Sequence, residues 1–446
     1  MRTYHIETFG CQMNEHDSEG IAGILSRLGL SPVTAPEEAD ILVLNTCSVR
    51  DKPHRKVFAR LSHYRALRAE RRGRLIVVAG CMAQLIPEEI RERAPFVDLV
   101  LGPRAYGELE SAIREFLDGR IGPQRILTRC TPDAQAIPYR RETPFRAWVD
   151  VMYGCDNHCA YCVVPRARGP EVSRRPEAIL QEVERLAAEG VVEVTLLGQN
   201  VNSYGRGLEP PLDFAELLGR LDGIGGIRRI RFTTSHPKDL SAGLIRALAD
   251  LPTVCEHLHL PIQAGADGVL DRMGRGHTAE QYLARVRAVR EAVPGLSLTT
   301  DVMVGFPGET QEDFERTLAL FETVRFDQAF MFKYNDRAGT RAGEMLDKVP
   351  EEEKQGRFIE LVRLQNRLAR EINEAHVGQE FEVLVHGRDP KAPEKARGRT
   401  RQNKLVIFPA GEELNGRFVW VRAVEARLWG WLGEKADNEE ATRWPA

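Results

Sequence analysis

Short apolar runs alternate with amphipathic helical segments from residue 3 to residue 334, and this alternation constrains the fold more than any other feature. Residues 3–9 read as a strand, and a helical pattern follows from Glu15 to Leu28, where Gly29 stops it. Ile41-Leu42-Val43-Leu44 and residues 75–79 are unbroken apolar runs, the pattern of parallel strands covered on both faces. These units predict a doubly wound parallel α/β domain closing near Gly119. A Pro/Thr-rich linker holding Cys130 leads to six further strand–helix units, with strand signals at 145–152, 191–197, 227–232, 255–260, 296–304 and 326–334. Helical patterns at 177–189, 280–292 and 312–324 carry acids near their starts, where the helix dipole favours them. Six units are too few to close an eight-stranded barrel, so an open six-stranded (βα)6 partial barrel is expected. A long charged helix, Glu351 to Glu374, ends it. Residues 378–432 then switch to short alternating segments broken by Gly and Pro, the signature of a small OB-like β-barrel. The expected domains are 1–125, 141–376 and 377–432, with a tail at 433–446.

Parallel sheets bind ligands beyond the C-terminal ends of their strands, so the residues at those ends carry the functional signal. In the first domain each strand runs into a cysteine: Cys11, Cys47 and Cys81. A buried cysteine is ordinarily a small apolar side chain. Three in equivalent places, about one βα unit apart, argue instead for a three-thiolate cluster. The first barrel strand runs into Tyr153-Gly154-Cys155-Asp156-Asn157-His158-Cys159-Ala160-Tyr161-Cys162, a C-x3-C-x2-C spacing. Three thiolates hold three corners of a 4Fe-4S cubane and leave one iron open to a small molecule. A structural zinc would want a fourth ligand, for which His158 is the local candidate. The next strands end at Gly198-Gln199-Asn200, Thr233-Thr234-Ser235-His236, Pro261-Ile262-Gln263 and Gly305-Phe306-Pro307-Gly308-Glu309, more polar than a plain core requires. His257 and His259 share a strand face; with no third ligand they read as hydrogen-bonded core histidines rather than a metal pair. Cys255 and Cys130 have no partner pattern.

Net charge is −3 over 446 residues, so any nucleic-acid site must be a local basic patch. Residues 52–74 hold nine Lys/Arg against Glu70, and 388–404, read as a loop, hold seven against Asp389 and Glu394. Each is either a solvated surface or an RNA contact; in the second, Arg397, Arg399, Arg401 and Lys404 are the candidate phosphate ligands. No stretch approaches the ~18 apolar residues that cross a membrane, and Met1 to Gly10 lacks the apolar core of a secretory leader. Unpaired cysteines without such a leader fit a reducing, cytoplasmic setting.

Over residues 1–432 the chain resembles the methylthiotransferase family of radical S-adenosylmethionine (SAM) enzymes. The motifs that carry the likeness are TFGCQMNEHDSE, NTCSVRDKP, AGCMAQ, YGCDNHCAYCVVP, LLGQNVNSYG, TTSHP, LHLPIQ, MVGFPGET and GRTRQNKLV. The resemblance implies an N-terminal cluster domain, a radical SAM barrel and a C-terminal TRAM RNA-binding domain. It implies two 4Fe-4S clusters, one on Cys155, Cys159 and Cys162 and one on Cys11, Cys47 and Cys81. SAM would lie near Tyr161, Gln199, Asn200, Ser235, His236, Gln263, Asp301 and Gly305. The implied reaction adds a methylthio group to C2 of N6-isopentenyladenosine next to the anticodon of tRNA. Ser48-Val49-Arg50 and Asp156-Asn157 favour this substrate over threonylcarbamoyl-adenosine or a ribosomal-protein aspartate. A flavodoxin- or ferredoxin-type electron donor, a sulfur donor and a monomeric enzyme go with it. A non-catalytic RNA-binding iron–sulfur protein is the reading from another class; two three-cysteine sites speak against it, because structural clusters are usually fully ligated. The chain departs from the family pattern at Ala264, Ala266 and residues 335–340.

Overall fold

The computed structural model describes residues 2–47, 52–71, 73–120, 124–128, 137–141 and 143–436, with the side chains of 52–55 excepted. Ser48-Val49-Arg50, Cys130 and the tail beyond Ala436 lie outside the described residues. The chain divides into two compact units, one of residues 1–142 with 153–157 and 162–171, the other of 143–152, 158–161 and 172–446.

The first unit is built on a parallel sheet in the order Ser31–Pro32, Thr3–Phe9, Ile41–Thr46, Leu75–Gly80, Leu99–Leu101, Arg125–Leu127. Period-two alternation sends Ile41, Val43, Leu75 and Val77 into one apolar core, and Leu42, Leu44, Ile76 and Val78 into a second on the opposite face. That explains why the strand sequences are apolar throughout rather than alternating.

In the second unit, six parallel strands form two three-stranded ladders: Arg229–Thr233, Glu193–Leu197, Arg146–Asp150, and His257–His259, Ser297–Val304, Gln328–Lys333. The fourth strand is shorter than the expected 255–260. Before it, the chain meets the third strand through a single Ile230–Val254 bridge, and Pro261 follows it without an amide donor to extend the ladder. Val149, Leu196, Ile230, Leu258, Leu298 and Val302 share one apolar core with Ile179, Val183 and Leu186, which recur at helical spacing on Pro176–Ala188. Intervening strand residues, among them Glu193, Arg229, Arg231, His259 and Asp301, take the other face. The helices Phe214–Asp222, Ala279–Ala292 and Gln311–Val324 each open on a capping box, at Asp213/Glu216, Thr278/Gln281 and Thr310/Asp313.

Beyond the helix Glu351–Glu374, five strands close a barrel: Glu380–Asp389, Ala392–Thr400, Leu405–Pro409, Gly430–Lys435 and Phe418–Arg427. Val383, Val385, Val406, Phe408, Val421 and Trp431 fill it. The basic stretch 388–404 is therefore not a loop: most of it lies in the strand Ala392–Thr400, which turns at Arg401–Lys404 into its partner Leu405–Pro409, with Asn403 in a left-handed conformation.

This small barrel is bolted to the partial barrel by buried charge. Arg229, fully buried, donates to Arg399 O at 2.8 Å and to Glu382 Oε1 at 2.8 Å. Arg231 donates to Glu193 at 2.9 Å and to the carbonyls of Thr400 (2.7 Å) and Arg401 (2.8 Å).

Candidate metal centres and ligand cleft

Cys11 is the N-cap of the helix Gln12–Arg27, Cys47 follows the strand Ile41–Thr46, and Cys81 opens the helix Cys81–Leu85 directly after Leu75–Gly80. One polar network holds the three chain segments together. Asn14, fully buried, donates to Asn45 Oδ1 and Thr46 O, both at 3.2 Å, while Asn45 donates back to Asn14 O at 2.8 Å. The Thr46 hydroxyl donates to Ala79 O at 2.6 Å. Gly80 is required here: its φ is +95° and a Cβ would stand 2.3 Å from Thr46 O. The Cys11 thiol is held down to about 6 by a hydrogen bond from Cys47 and, against the opposing effect of burial, by the nearby Arg168 guanidinium. Burial pushes the Cys81 thiol up, and Arg168 opposes that too. Arg168 is itself paired with Asp17 at 2.6 Å. Three thiols, one of them easily ionised, beside a buried cation make a donor set suited to an anionic iron–sulfur cluster. Among the described residues no three His, Cys, Asp or Glu are arranged as around a single metal ion. A cubane takes each thiolate on a different iron and does not ask for that convergence.

In the C-x3-C-x2-C loop each sulfur faces an N–H donor. The Asn157 amide donates to Cys155 Sγ and the Val164 amide to Cys162 Sγ, both at 3.4 Å. The buried Arg275 donates to Cys159 Sγ at 3.5 Å and to Pro261 O at 2.8 Å. Hydrogen bonds to sulfur stabilise thiolate over thiol, as ligands of a cluster need. Cys155 N is tied to Gly169 O, and the segment around Cys159 is clamped by Ala160 N to Met273 O and Ala342 N to Ala160 O. Tyr161 joins the apolar cluster of Ala160, Phe306 and Tyr334, and Ala264 and Ala266 pack there as well. At Ala264 and Ala266, two of the places where the chain departs from the family pattern, buried methyl groups thus fill this core.

At the barrel strand ends the expected ligand residues are buried and polar, and several lack partners. Both amide atoms of Gln199, Oδ1 of Asn200 and the hydroxyl of Ser235 are enclosed without a hydrogen bond. Orphaned polar groups of this kind cost stability unless something satisfies them, which makes these strand ends the candidate site for a polar small molecule. Asn200 Nδ2 donates to Asp239 at 2.8 Å, fixing its orientation. His236 is pushed down to about 2 by burial and by Arg275, and its ring packs edge-on to His277 at 5.8 Å. Gln263 has φ 71° and pairs with the fifth strand through its N–H to Asp301 O and Met303 N–H to its carbonyl, both at 2.9 Å. Asp301 lies 3.6 Å from His259. His259 and His257 both bond Thr299, at 2.9 and 3.4 Å, as core histidines do. Gly305 owes its glycine to packing: with φ 71°, a Cβ there would meet the Lys354 side chain.

Asp17, Arg168, Asn202 and Arg275 were not singled out by sequence. The i, i+3, i+6 spacing of Cys11, Asn14 and Asp17 on one helix face was an available signal. Asn202, whose amide atoms are also buried and partnerless, stands two residues beyond Asn200. Arg168 and Arg275 had no local signal.

The basic stretches are corrected in part. Arg401 binds Glu256 at 2.8 Å and Val254 O at 2.7 Å, and the buried Lys404 binds Asp327 at 2.7 Å and Asn373 at 2.9 Å. Arg399, half-buried, donates to Asn403 O at 2.7 Å. Of the quartet, Arg397 stays exposed. On the helix Lys52–Glu70 and just after it, Arg60, Arg68 and Arg71 pair with Glu7, Asp98 and Asp40, so much of that charge is also spent within its own domain.

Three family models match: Radical SAM superfamily at residues 149–321, the uncharacterized protein family UPF0004 at 3–102 and TRAM domain at 374–434. A tRNA-2-methylthio-N(6)-dimethylallyladenosine synthase from Moorella thermoacetica is 46% identical over 440 residues, covering 98% of this chain and 99% of its own. One from Dictyoglomus thermophilum is 48% identical over 437 residues, covering 97% and 98%. The chain belongs to the tRNA-2-methylthio-N(6)-dimethylallyladenosine synthase family. Membership in this synthase family, with the Radical SAM match, brings a 4Fe-4S cluster and SAM with it. Among solved structures, the radical SAM methyltransferase TsrM from Kitasatospora setae aligns with TM-score 0.55 at 14% identity, covering 77% of each chain. The cobalamin-dependent radical enzyme OxsB aligns with TM-score 0.51 at 12% identity over 82% of this chain and 56% of its own. These two share the fold. No helix among the described residues is long and apolar enough to cross a membrane.

Proposed function

We propose that this protein transfers a methylthio group to C2 of N6-isopentenyladenosine beside the anticodon of tRNA. The observation that carries the reading is full-length identity of 46–48% to synthases of that name. Two separate three-cysteine sets, each with its own hydrogen-bonding surroundings, support two clusters. Cys155, Cys159 and Cys162 would hold the first, with SAM met by Gln199, Asn200 and Ser235, by Tyr161 of the cysteine loop, and by His236, Gln263, Asp301 and Gly305. Cys11, Cys47 and Cys81 would hold the second. When bound, these groups supply the radical that removes hydrogen from the base and the sulfur that replaces it, chemistry no side chain can perform alone.

The chain's own residues bind, orient and shield. Gln199 presents both a donor and an acceptor to a polar ligand, and Asn200, locked by Asp239, presents its free carbonyl oxygen. His236 and His277 are pushed below their ordinary range by burial, so near neutral pH they are uncharged and add no cation beside Arg275. Enclosure of these groups excludes water that would quench a radical. An external electron donor of flavodoxin or ferredoxin type and a sulfur source complete the system, and the protein acts as a monomer in the cytoplasm, where tRNA is.

The test is nucleoside analysis of tRNA from a strain lacking the protein. Loss of 2-methylthio-isopentenyladenosine with accumulation of isopentenyladenosine is expected; unchanged levels, or loss of a methylthio-threonylcarbamoyl product instead, would overturn the reading.

For RNA contact the reading narrows to Arg397 on the small barrel. Arg397→Gln is expected to lower the salt dependence of tRNA binding by up to ~0.7–0.9 in log–log slope, one phosphate contact's worth. Lys404→Gln, whose ammonium is taken by Asp327 and Asn373, should leave that slope alone and lower stability instead. Salt-titrated binding of tRNA to both variants separates the two; an unchanged slope for Arg397→Gln counts against the contact.

A further inference from the structure

The pocket of Cys11, Cys47 and Cys81 contains a charged pair that neither the sequence nor the reaction calls for. Arg168 and Asp17 have side chains 8% and 9% exposed, joined at 2.6 Å through Nη2 and Oδ2. Tyr106, also buried, lies on the turn Pro103–Glu108, which packs against the short helix Val164–Arg168. Burying two charges is costly, and apolar side chains of the same volume would often serve stability equally well. The pair's placement suggests another use. Arg168 reaches between two elements of the cysteine pocket: it binds Asp17 on the helix that Cys11 caps, and its own short helix packs on the helix that Cys81 opens. Asp17 lies on the helix that Cys11 caps, two turns further along. Arg168 also closes the short helix Val164–Arg168, which starts two residues after Cys162 and packs on the Cys81–Leu85 helix. Immediately beyond it, Gly169 O accepts from Cys155 N. One guanidinium thus ends a segment rooted at the C-x3-C-x2-C loop and sits against the other cysteine set.

We propose that Arg168, oriented by Asp17, is a positioning residue for the cluster on Cys11, Cys47 and Cys81: it fixes Cys81 against Cys11, offsets the anionic charge of the sulfurs, and keeps this set in register with Cys162. The inference rests on the reading that these cysteines hold a cluster. A cation beside a ligand sulfur favours the reduced, more negative form of a cluster and raises its potential. Its planar fork can serve carboxylate and sulfur together, which a lysine ammonium does only as a point charge.

The test uses full-length, anaerobically reconstituted protein and tRNA carrying isopentenyladenosine. Iron per chain, the spectroscopically monitored midpoint of each cluster, and the ratio of 5′-deoxyadenosine released to methylthio product are measured for the parent, Arg168→Met and Arg168→Lys. Arg168→Met is expected to move the midpoint of the Cys11/Cys47/Cys81 cluster to a more negative potential and to raise the ratio at least tenfold. Arg168→Lys should restore most of the midpoint but only part of the coupling. Unchanged midpoint and ratio in Arg168→Met overturn the proposal. Should that variant not fold, an unchanged ratio in Arg168→Lys overturns it, and a raised one supports it. A parent protein with only one cluster's iron would instead sink the underlying two-cluster reading, so the two failures are distinguishable.

Discussion

Changing Cys155, Cys159 and Cys162 together to alanine is expected to remove half of the protein's iron and abolish reductive SAM cleavage. Fully reconstituted parent should carry about eight irons, the content of two cubanes. The three sulfurs each face an N–H donor, from Asn157, Arg275 and Val164, and no other cysteine lies in their loop to replace them. Changing Cys11, Cys47 and Cys81 should likewise halve the iron but spare SAM cleavage, while methylthio product disappears. The asymmetry follows from architecture: this second set stands at the ends of three strands of its own sheet, held by Asn14, Asn45 and Thr46. Iron and sulfide analysis with a 5′-deoxyadenosine assay checks both variants. Full iron in either would show the ligand assignment to be wrong.

The largest expected loss of stability comes from Glu193→Ala. Glu193 is 3% exposed, accepts from Arg231 at 2.9 Å and lies 4.0 Å from Arg229. Removing it leaves Arg231, buried as well, with its charge uncompensated by this carboxylate, which typically costs about 3–5 kcal/mol. By contrast Glu412→Ala, which deletes an exposed pair with Lys435, should change stability by at most ~1 kcal/mol. The pH dependence has a definite sign. Burial would push the Glu193 carboxyl up, but Arg231 and Arg229 outweigh it and hold the group below the usual carboxylate range. Its contribution is therefore complete above the ordinary glutamate pKa and is lost as pH falls through the lower folded value. Urea unfolding of parent and variants at neutral and acidic pH measures this. A Glu193→Ala variant within 1 kcal/mol of the parent at neutral pH would contradict the argument.

Arg229 and Arg231 illustrate where reading a sequence stops. Both belong to a strand whose apolar partners Ile230 and Phe232 announce it, yet alternation says only that the arginines take the opposite face. Besides Glu193, their partners are Glu382 and the carbonyls of Arg399, Thr400 and Arg401, some 150 to 170 residues away. Partners distant in sequence likewise misdirected the reading of 388–404. Seven cations in seventeen residues look like an open basic surface until Glu256, Asp327 and Asn373 come to meet Arg401 and Lys404. At 52–74, Glu7, Asp40 and Asp98 play that part.

Short-range pattern in the sequence carries the elements, the sheet type and the position of the thiolates. Apolar period separates strands from helices, strand–helix alternation makes the sheets parallel, and parallel sheets place ligands at the strand ends where the cysteines and Gln199, Asn200 and Ser235 stand. A C-x3-C-x2-C spacing states its chemistry within eight residues, because one loop supplies all three thiolates. Tertiary structure alone decided which charges are free and which are spent, that Arg168 and Asp17 belong to the cysteine pocket, and that the small barrel docks through buried arginines. The reason is physical: hydrophobic periodicity is a property of neighbouring residues, whereas a Coulomb or hydrogen-bond partner is chosen by packing, at any separation along the chain.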